Sequence, residues 1–578
     1  MKHVIKVQSV SLLCFFCDTV GGVRGPSFAI FRHQSESRTE TKSDQSYRTG
    51  TKRSSSSLEA CSFPSYLGKR ISRNRSLSPT MMLLSRSCTS ITLMLTVTFA
   101  QRDHPDRLNS LPGYPHPLPS PWYSGYLDYE LNGVDIHTHY VYIEAEENEN
   151  NAPLIYWSNG GPGASSLFGL MTELGPLLLS DLSLQTREYK ETGIPTPLYN
   201  PDSWTKLGSL LIFDAPAPVG FSYCNEDLNG KGNSCMAWTD ELASENSYLA
   251  LQAFYQKFPS LSNRALFLTG ESYAGIYIPT LARRILEGSE SVNLQGFAVG
   301  DGCLGTATEV CGHLGTNSWK NIYFNLLFMA GHGQMPWSTF QKLLAVCEKD
   351  TTNLSPECQA MIYAVELELG GFYEYSLYDD CTYRNGILLQ HNLDMFRDGA
   401  LNDYACGQGP VMEHYFSLVA VQEAFHVPEG ASFFSVDNAK NFNYTPTELD
   451  LQPFYKDVAK GKYDKDIRVL VYNGDTDPSI TSFAAQDWTS GLGLQEIEPW
   501  RPWTVDGCRR MGGYVTRYEG SLDFLTIRGA GHMVPTYKPD SSFTFLKAWI
   551  ENEEYPHFDK QCKTPPLKAG SSFIHADK

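Results

Sequence analysis

Positive charge is what this chain lacks most. Lys and Arg number 46 against 64 Asp and Glu, a net charge of −18 over 578 residues. That balance argues against nucleic acid as a main partner. After residue 100 there is no apolar run long enough to cross a bilayer. None of the ten cysteines beyond that point forms a C-x-x-C with a partnering His or Cys, so zinc-ligand spacing is absent there. What is present is core-forming material, with 42% hydrophobic and 12% aromatic residues. This is enough for a large packed core, in more than one domain or in one domain with a big insertion.

Charge and cysteine are unevenly spread. Residues 1–100 hold 14 Lys and Arg against 5 Asp and Glu, and the remainder holds 32 against 59. Ser35–Thr80 is rich in Ser, Arg and Lys and poor in apolar runs, the composition of a disordered segment. Val10–Phe16 is one candidate for a signal h-region. A better formed one starts at Met81 or Met82, passes Arg86 and runs through the apolar Ile91–Phe99 to Ala100 at a small-residue cleavage position. The expectation is that residues 1–80 are a disordered or misannotated extension and that 81–100 are a signal peptide. The ten downstream cysteines are even in number and include the close pairs Cys224 with Cys235, Cys303 with Cys311 and Cys347 with Cys358. They read as disulfides of an oxidising compartment, with connectivity left open. Sequons at Asn353 and Asn443 would suit glycosylation. The secretory pathway is the expected route, ending in a vacuole, a lysosome or the extracellular space.

Residues 101–120 are Pro-rich and expected to run extended over the surface. From Tyr123, the alternation YSGYLDYELNGVDIHTHYVYIEA predicts antiparallel strands turning at Asn132-Gly133. Buried strands are predicted at Pro153–Trp157, Leu210–Phe213, Ala265–Leu268 and Phe297–Val299, with helical patterns between them, notably Glu241–Lys257. Strands alternating with helices imply an α/β fold, a mostly parallel sheet wrapped by helices. The pattern breaks over 301–460, which is irregular, aromatic and Cys-containing, with helical pieces such as Ser338–Cys347. It resumes at Ile467–Tyr472 and Phe524–Ile527. The core is therefore expected in two parts, 101–300 and 461–565, interrupted by a largely helical cap insertion of about 150 residues, with 566–578 as a tail.

The stretch LFLTGESYAG, residues 266–275, reads as strand then tight turn, and helical spacing follows to Leu286. It carries G-x-S-x-G at the turn. A serine pushed out on a sharp turn needs neighbours without bulk so that strand and helix can close around it. Ser272 is thus a candidate nucleophile. IRVLVYNGDTD ends a buried strand and delivers Asp475 and Asp477. The acid of such an architecture follows the glycine by three positions, which selects Asp477 and leaves Asp475 a structural hydrogen-bonding role. FLTIRGAGHMVP ends the last strand and delivers His532 on a Gly-bounded loop. The order Ser272, Asp477, His532 is the one this fold uses. His532 would take the Ser272 proton and return it to the leaving group, while Asp477 holds the imidazole tautomer. Two N–H donors for the oxyanion are expected from Tyr273 and from Gly161 in the loop Asn159-Gly160-Gly161-Pro162-Gly163. No Lys-Ser or Lys-Thr follows that loop at P-loop spacing, which speaks against a phosphate cradle. This chemistry calls for no metal and no cofactor.

The chain resembles the serine carboxypeptidases, a family of α/β-hydrolases that includes vacuolar and lysosomal enzymes. The blocks that carry the resemblance are Trp157–Ser166 (WSNGGPGASS), Gly270–Gly275, Asn473–Asp477 and Gly529–Pro535 (GAGHMVP). Weaker echoes are Tyr123–Tyr126, Met171–Pro176 and Val219–Tyr223, and all run in family order from about residue 120 to 560. The resemblance implies release of C-terminal residues from peptides and proteins through an acyl-enzyme. It implies that Asn159, Gly160 and Glu271 bind the substrate's terminal carboxylate, and that Glu173 and Trp157 complete their hydrogen-bonded network. Carboxyls this crowded share protons, so an acidic working range is expected. Met533 is expected to line the pocket of the leaving residue.

Three departures from the family pattern stand out. Ala164 replaces a cysteine that forms a disulfide in relatives, Pro218 replaces a glycine, and Pro478-Ser479-Ile480-Thr481 follows the acid where some members have Cys-Asn. The triad is equally compatible with acyl transfer to an alcohol or amine, and a scaffold role in a complex is the reading of another class. If translation starts at Met81 or Met82, peptide mass spectrometry of the native protein will yield no abundant peptide from residues 40–80. Finding one would reject that start.

Overall fold

The computed structural model describes residues 104–148, 151–288, 292–308, 310–311, 319–348, 353–370, 374–379, 408–463 and 465–562. The expected extension, signal peptide and tail lie outside them, as do Cys381 and Cys406. The chain builds one large sheet from β1 (Trp122–Leu131), β2 (Val134–Ile143), β3 (Leu154–Ser158), β4 (Ser209–Phe213), β5 (Leu266–Glu271), β6 (Leu294–Gly300), β7 (Arg468–Gly474), β8 (Glu496–Thr504), β9 (Met511–Tyr518) and β10 (Leu522–Ile527). The spatial order is β1-β2-β4-β3-β5-β6-β7-β10-β9-β8, with Tyr223–Cys224 pairing on β2. The six central strands, β4 to β10 in that order, are mutually parallel. Antiparallel hairpins close both edges. This is the α/β-hydrolase architecture.

Period-two alternation sorts the strand side chains onto two faces. Tyr156, Leu211, Phe213, Leu268, Val469, Val471 and Phe524 enter one apolar cluster. Their neighbours Ile155, Trp157, Ile212, Phe267, Leu470, Tyr472 and Leu525 enter the other. A sheet buried on both faces produces near-continuous apolar runs, which is why β3 to β7 stand out in the sequence. Helices α1 (Asp240–Lys257) and α2 (Ala274–Glu287) cover the first face. Thr239 accepts a hydrogen bond from Leu242 N at the start of α1, the usual cap for an orphan N–H. At the β1–β2 turn, Asn132 and Gly133 both have positive φ, 55° and 78°, as a two-residue hairpin of this handedness requires.

The β8–β9 hairpin has no counterpart among the predicted strands. β8 contains Pro499 and Pro502 and is largely exposed, and β9 contains Gly512 and Gly513. Such a strand is tolerable only at a sheet edge, where no further partner needs the missing N–H. The segment 301–460 also divides. Helices α3 (Trp319–Gly331), α4 (Trp337–Cys347) and α5 (Pro356–Leu369) build a small core of their own from residues such as Phe328, Phe340, Leu343 and Ile362. Its later residues fold onto the sheet instead. Val411, Tyr415 and Phe425 join one face, and Leu451, Phe454, Tyr455 and Val458 join the other. The helix that carries Phe454 to Val458, Gln452–Ala459, thus belongs to the sheet domain by packing. Disulfides link Cys224 to Cys235, Cys303 to Cys311, Cys347 to Cys358 and Cys508 to Cys562. The first three are the close pairs of the sequence, and they fit an oxidising compartment.

Phe254 of α1 is fully buried among Tyr142, Phe213 and Phe258, at ring-centroid distances of 5.5, 6.4 and 4.9 Å. Phe254→Ala should cost about 3–5 kcal/mol, read as a melting temperature lowered by several degrees in thermal unfolding followed by circular dichroism. A shift of less than about 1 °C would mean that this aromatic cluster does not anchor the helix.

Candidate active site

Parallel strands end at one edge, and this edge collects the chemistry. The residues that follow the central strands are Asp214 after β4, Asn159 after β3, Ser272 after β5, Asp301 after β6, Asp475 and Asp477 after β7, and the loop to His532 after β10. Ligand sites of open parallel sheets lie outside these carboxyl ends.

Ser272 sits at φ 63°, in the left-handed region that a serine rarely adopts. The turn is held from three sides. Ser272 N donates to Gly300 O at 3.0 Å, and Ser272 O accepts from Gly275 N at 2.9 Å and Cys303 N at 3.0 Å. A Cβ on Gly275 would come within 2.4 Å of Cys303 backbone atoms, so only glycine lets α2 approach the next strand end. Ser272 is half-buried while its neighbours Glu271 and Tyr273 are buried, which leaves the serine as the accessible member of the elbow.

His532 is buried, with its Nδ1 2.7 Å from Asp477 Oδ2. Asp477 is fully buried and also accepts from Ser479 N at 2.7 Å and Ile480 N at 3.3 Å. Burial pulls the His532 imidazole down, but the Asp477 charge and hydrogen bond push it up, helped by Asp437 and Glu173, and the net direction is upward. His532 N donates to Tyr375 O at 2.7 Å, and the Tyr375 ring lies 5.2 Å from the imidazole. Tyr375 OH in turn hydrogen-bonds Asp437. Asp475 accepts from Gly529 N at 2.6 Å and so braces the loop that carries His532.

The Asn159–Gly163 loop packs on the elbow. A Cβ on Gly160 would meet Tyr273 N at 2.3 Å and Ser272 Cβ at 2.9 Å. Among the described residues, no backbone or side-chain acceptor takes up the N–H of Gly161 or of Tyr273. The far side of the loop is held by a segment of the insertion: Val436 N to Gly163 O at 3.0 Å, Asn438 N to Gly161 O at 3.2 Å, Ala439 N to Pro162 O at 3.0 Å and Ser165 N to Ser435 Oγ at 3.0 Å. Ala164 cannot form a disulfide, and these four hydrogen bonds hold the segment on the loop. Tyr273 OH donates to Asp240 Oδ1 at 2.7 Å, and Tyr444 OH meets the same oxygen at 2.6 Å. That buried carboxylate ties the elbow to α1 and to the later insertion.

Beside the elbow, Asn159 Nδ2 donates to Glu271 Oε1 at 2.9 Å and to Glu173 Oε1 at 3.2 Å. Asn159 Oδ1 accepts from Trp157 Nε1 and Gly169 N, both at 2.9 Å, which fixes the amide so that its NH2 faces the two carboxyls. Trp157 itself is fully buried and positions Asn159. Glu173 projects from a single turn of π-helix, Leu170–Leu174, a distortion common at functional sites. Among the described residues no donor reaches the buried Oε2 of either glutamate. The two carboxyls lie within hydrogen-bonding reach of each other, and two carboxyls in such contact do not both ionise. Burial raises Glu173 to about 7 despite the opposing pull of Glu271, Asn159 and His532. Burial and the Glu173 charge raise Glu271 well above the usual carboxylate range. Met533 is buried in the apolar cluster on the other face of the sheet from α1 and α2.

Asp301, Tyr375 and Asp437 are site residues that the sequence reading passed over. Asp301 had a signal, since an acid close behind a glycine at the end of a buried strand is the kind of context that exposed Asp477. Tyr375 and Asp437 lie in the irregular insertion and had none.

Comparison with known proteins agrees with this geometry. The profile of the serine carboxypeptidase family matches residues 112–552. The lysosomal protective protein of Mus musculus is 31% identical over 505 residues, covering 80% of this chain and 98% of its own. A serine carboxypeptidase of Caenorhabditis elegans is 28% identical over 474 residues, with 78% and 94% covered. The solved structure of a prohormone-processing carboxypeptidase from Saccharomyces cerevisiae superposes with a TM-score of 0.57 at 20% identity, over 77% of this chain and 94% of its own. That likeness shows the shared fold. The elbow serine, the buried acid–histidine pair and a profile match spanning the whole sheet domain lead to one conclusion: the chain belongs to the serine carboxypeptidase family.

Proposed function

We propose that Ser272, His532 and Asp477 carry out the carboxypeptidase reaction of this chain, on peptides and proteins bound by their C-terminal carboxylate. The observation that carries this reading is the coexistence, around one accessible serine, of the His532–Asp477 hydrogen bond and the Asn159–Glu173–Glu271 cluster. Ser272 Oγ attacks the scissile carbonyl carbon as His532 takes its proton, and Asp477 stabilises the imidazolium. The oxyanion is met by the free N–H groups of Tyr273 and Gly161. The C–N bond then breaks, and His532 passes the proton to the departing amine. Water repeats the sequence on the acyl-enzyme. The terminal carboxylate of the substrate takes hydrogen bonds from Asn159, from Gly160 N–H and from the protonated Glu173–Glu271 pair, with Trp157 fixing Asn159. Met533, next to His532, supports the wall of the leaving-residue pocket. The four disulfides and the lysosomal relative support a secretory-pathway enzyme, with a lysosome or vacuole as its place of work.

Opposite limbs of the pH profile follow. A carboxylic acid can donate to the substrate carboxylate and a carboxylate cannot, so binding weakens as pH rises through about 7, where Glu173 loses its proton. His532 must be neutral to act as base, and its upward shift sets the acidic limb. Hydrolysis of a blocked dipeptide from pH 4 to 8 should show a rising KM on the alkaline side. The C-terminal amide of the same dipeptide should be a poor substrate, and Ser272→Ala should reduce kcat by about 10³-fold or more. Equal rates on acid and amide would overturn the carboxylate assignment, and activity retained in Ser272→Ala would overturn the nucleophile.

Stability shares one of these groups. Glu173 and Glu271 have folded-state pKa values raised above those of the unfolded chain. Between about pH 4.5 and 7 the folded protein therefore holds protons that the unfolded chain has released. The stabilisation is complete below that interval and is lost as pH rises through it. Thermal unfolding should give a lower melting temperature at pH 7.5 than at pH 5, with a visibly flatter dependence in the Glu173→Gln/Glu271→Gln double variant. An unchanged slope would mean that the pair is ionised across this range.

A further inference from the structure

The mechanism above leaves the buried carboxyl of Asp301 unused, although it stands at the strand edge beside Asp477. Asp301 is the first residue after β6 and is fully buried. It adopts φ 42°, a conformation that costs a non-glycine residue energy and persists only where its surroundings impose it. Its Oδ1 accepts from Asn473 Nδ2 at 3.1 Å and from Gly474 N at 3.0 Å, and its Oδ2 receives only a longer contact from Gly474 N at 3.2 Å. Both donors belong to the end of β7, the strand that delivers Asp477. The Asp301 backbone is tied to the same strand by its N–H to Tyr472 O at 2.9 Å. The Asp477 carboxyl faces it within side-chain hydrogen-bonding reach.

We propose that Asp301 is a positioning residue of the catalytic dyad: a carboxylic acid that keeps its proton and donates it in a hydrogen bond to Asp477, holding that side chain ionised and aimed at His532. The proposal rests on the triad reading above. It follows from a count of donors. Asp477 receives Ser479 N–H, Ile480 N–H and the His532 Nδ1–H, all of which favour its anion. Asp301 receives only two donors, Asn473 Nδ2 on Oδ1 and Gly474 N shared between Oδ1 and Oδ2, one fewer than Asp477, so Asp301 is the member that keeps the proton. Two carboxyls in contact inside a protein do not both ionise, and the better solvated anion keeps the charge. The other ionisable groups facing Asp301 are Glu271 from β5 and Tyr472 from β7, and neither supplies a cation. Burial and then the Asp477 charge push Asp301 well above the usual carboxylate range. A donor on Asp477 adds to the hydrogen bonds that fix this side chain against His532.

Asp301→Asn and Asp301→Ala test this in the full chain, by kcat and KM for the blocked dipeptide from pH 4 to 8. The amide of Asn matches a protonated carboxyl group by group, with its oxygen accepting from Asn473 and Gly474 and its NH2 donating to Asp477. Asp301→Asn should keep kcat/KM within about threefold and leave the acidic limb in place. Asp301→Ala should lower kcat about tenfold or more with KM within about twofold, and should move the acidic limb to higher pH, because an Asp477 carboxylate with one donor fewer holds the His532 imidazolium more strongly. An Asp301→Asn whose acidic limb moves down, as removal of an anion beside His532 would cause, overturns the proposal. So does an Asp301→Asn that fails to fold, because the proposal makes that exchange isosteric and isoelectronic in its hydrogen bonds. An Asp301→Ala with an unchanged profile also overturns it. Ser272→Ala run alongside separates the two readings: turnover persisting there rejects the triad itself, whatever the Asp301 variants do.

Discussion

The constraint on which the site depends is a shortage of positive charge in a crowded, water-poor place. Glu173, Glu271, Asp301 and Asp477 are all buried at the carboxyl edge of the sheet, and the imidazole of His532, hydrogen-bonded to Asp477, is the group beside them that can take up a positive charge. Four buried anions around one transient cation would be prohibitively costly. The resolution is division of labour by hydrogen-bond donors. Asp477 is given two backbone N–H groups and the imidazole, the partners that favour a carboxylate. The glutamate pair, given one shared amide, holds a proton. The same type of side chain is therefore given different partners beside His532 and beside Asn159, as environment sets acid and base roles elsewhere.

The sheet makes this crowding possible. Parallel strands deliver the residue after each strand end to the same edge, and the register between β5, β6, β7 and β10 sets them side by side. What holds the loops at that edge is mostly backbone. The elbow is bonded to Gly300 and Cys303, and the Asn159–Gly163 loop to residues 435–439. The insertion is thus more than a cover. Its own apolar core is confined to the helices between Trp319 and Leu369, with Leu377 beside them. Its remaining segments supply the carbonyl of Tyr375 behind His532 and the strap that keeps the oxyanion loop in position.

Much of the sheet was legible in the sequence because buried parallel strands are apolar on both faces and stand out as runs. The site was legible where a strand end met a polar residue within three positions of a glycine, as at Ser272, Asp477 and His532. Asp301 sits in the same context between Gly300 and Gly302, yet a lone acid there has no meaning until the next strand is known to be β7. The β8–β9 hairpin was hidden for the opposite reason. Two prolines and two glycines argue against a strand, and only its place at the sheet edge makes them harmless.

The sequence alone determined the alternating α/β plan, the elbow, the order of serine, acid and histidine, and the close cysteine pairs, because each is encoded by residues near one another in the chain. Tertiary structure decided which carboxyls are brought together, which segment is bonded to the loop that carries Ala164, and which parts of the insertion belong to the sheet. Those depend on contacts between segments more than a hundred residues apart, such as Asn159 with Glu271 and Gly163 with Val436. A proton's position among buried groups is set by the sum of donors and charges around it, and that sum exists only once the chain has folded.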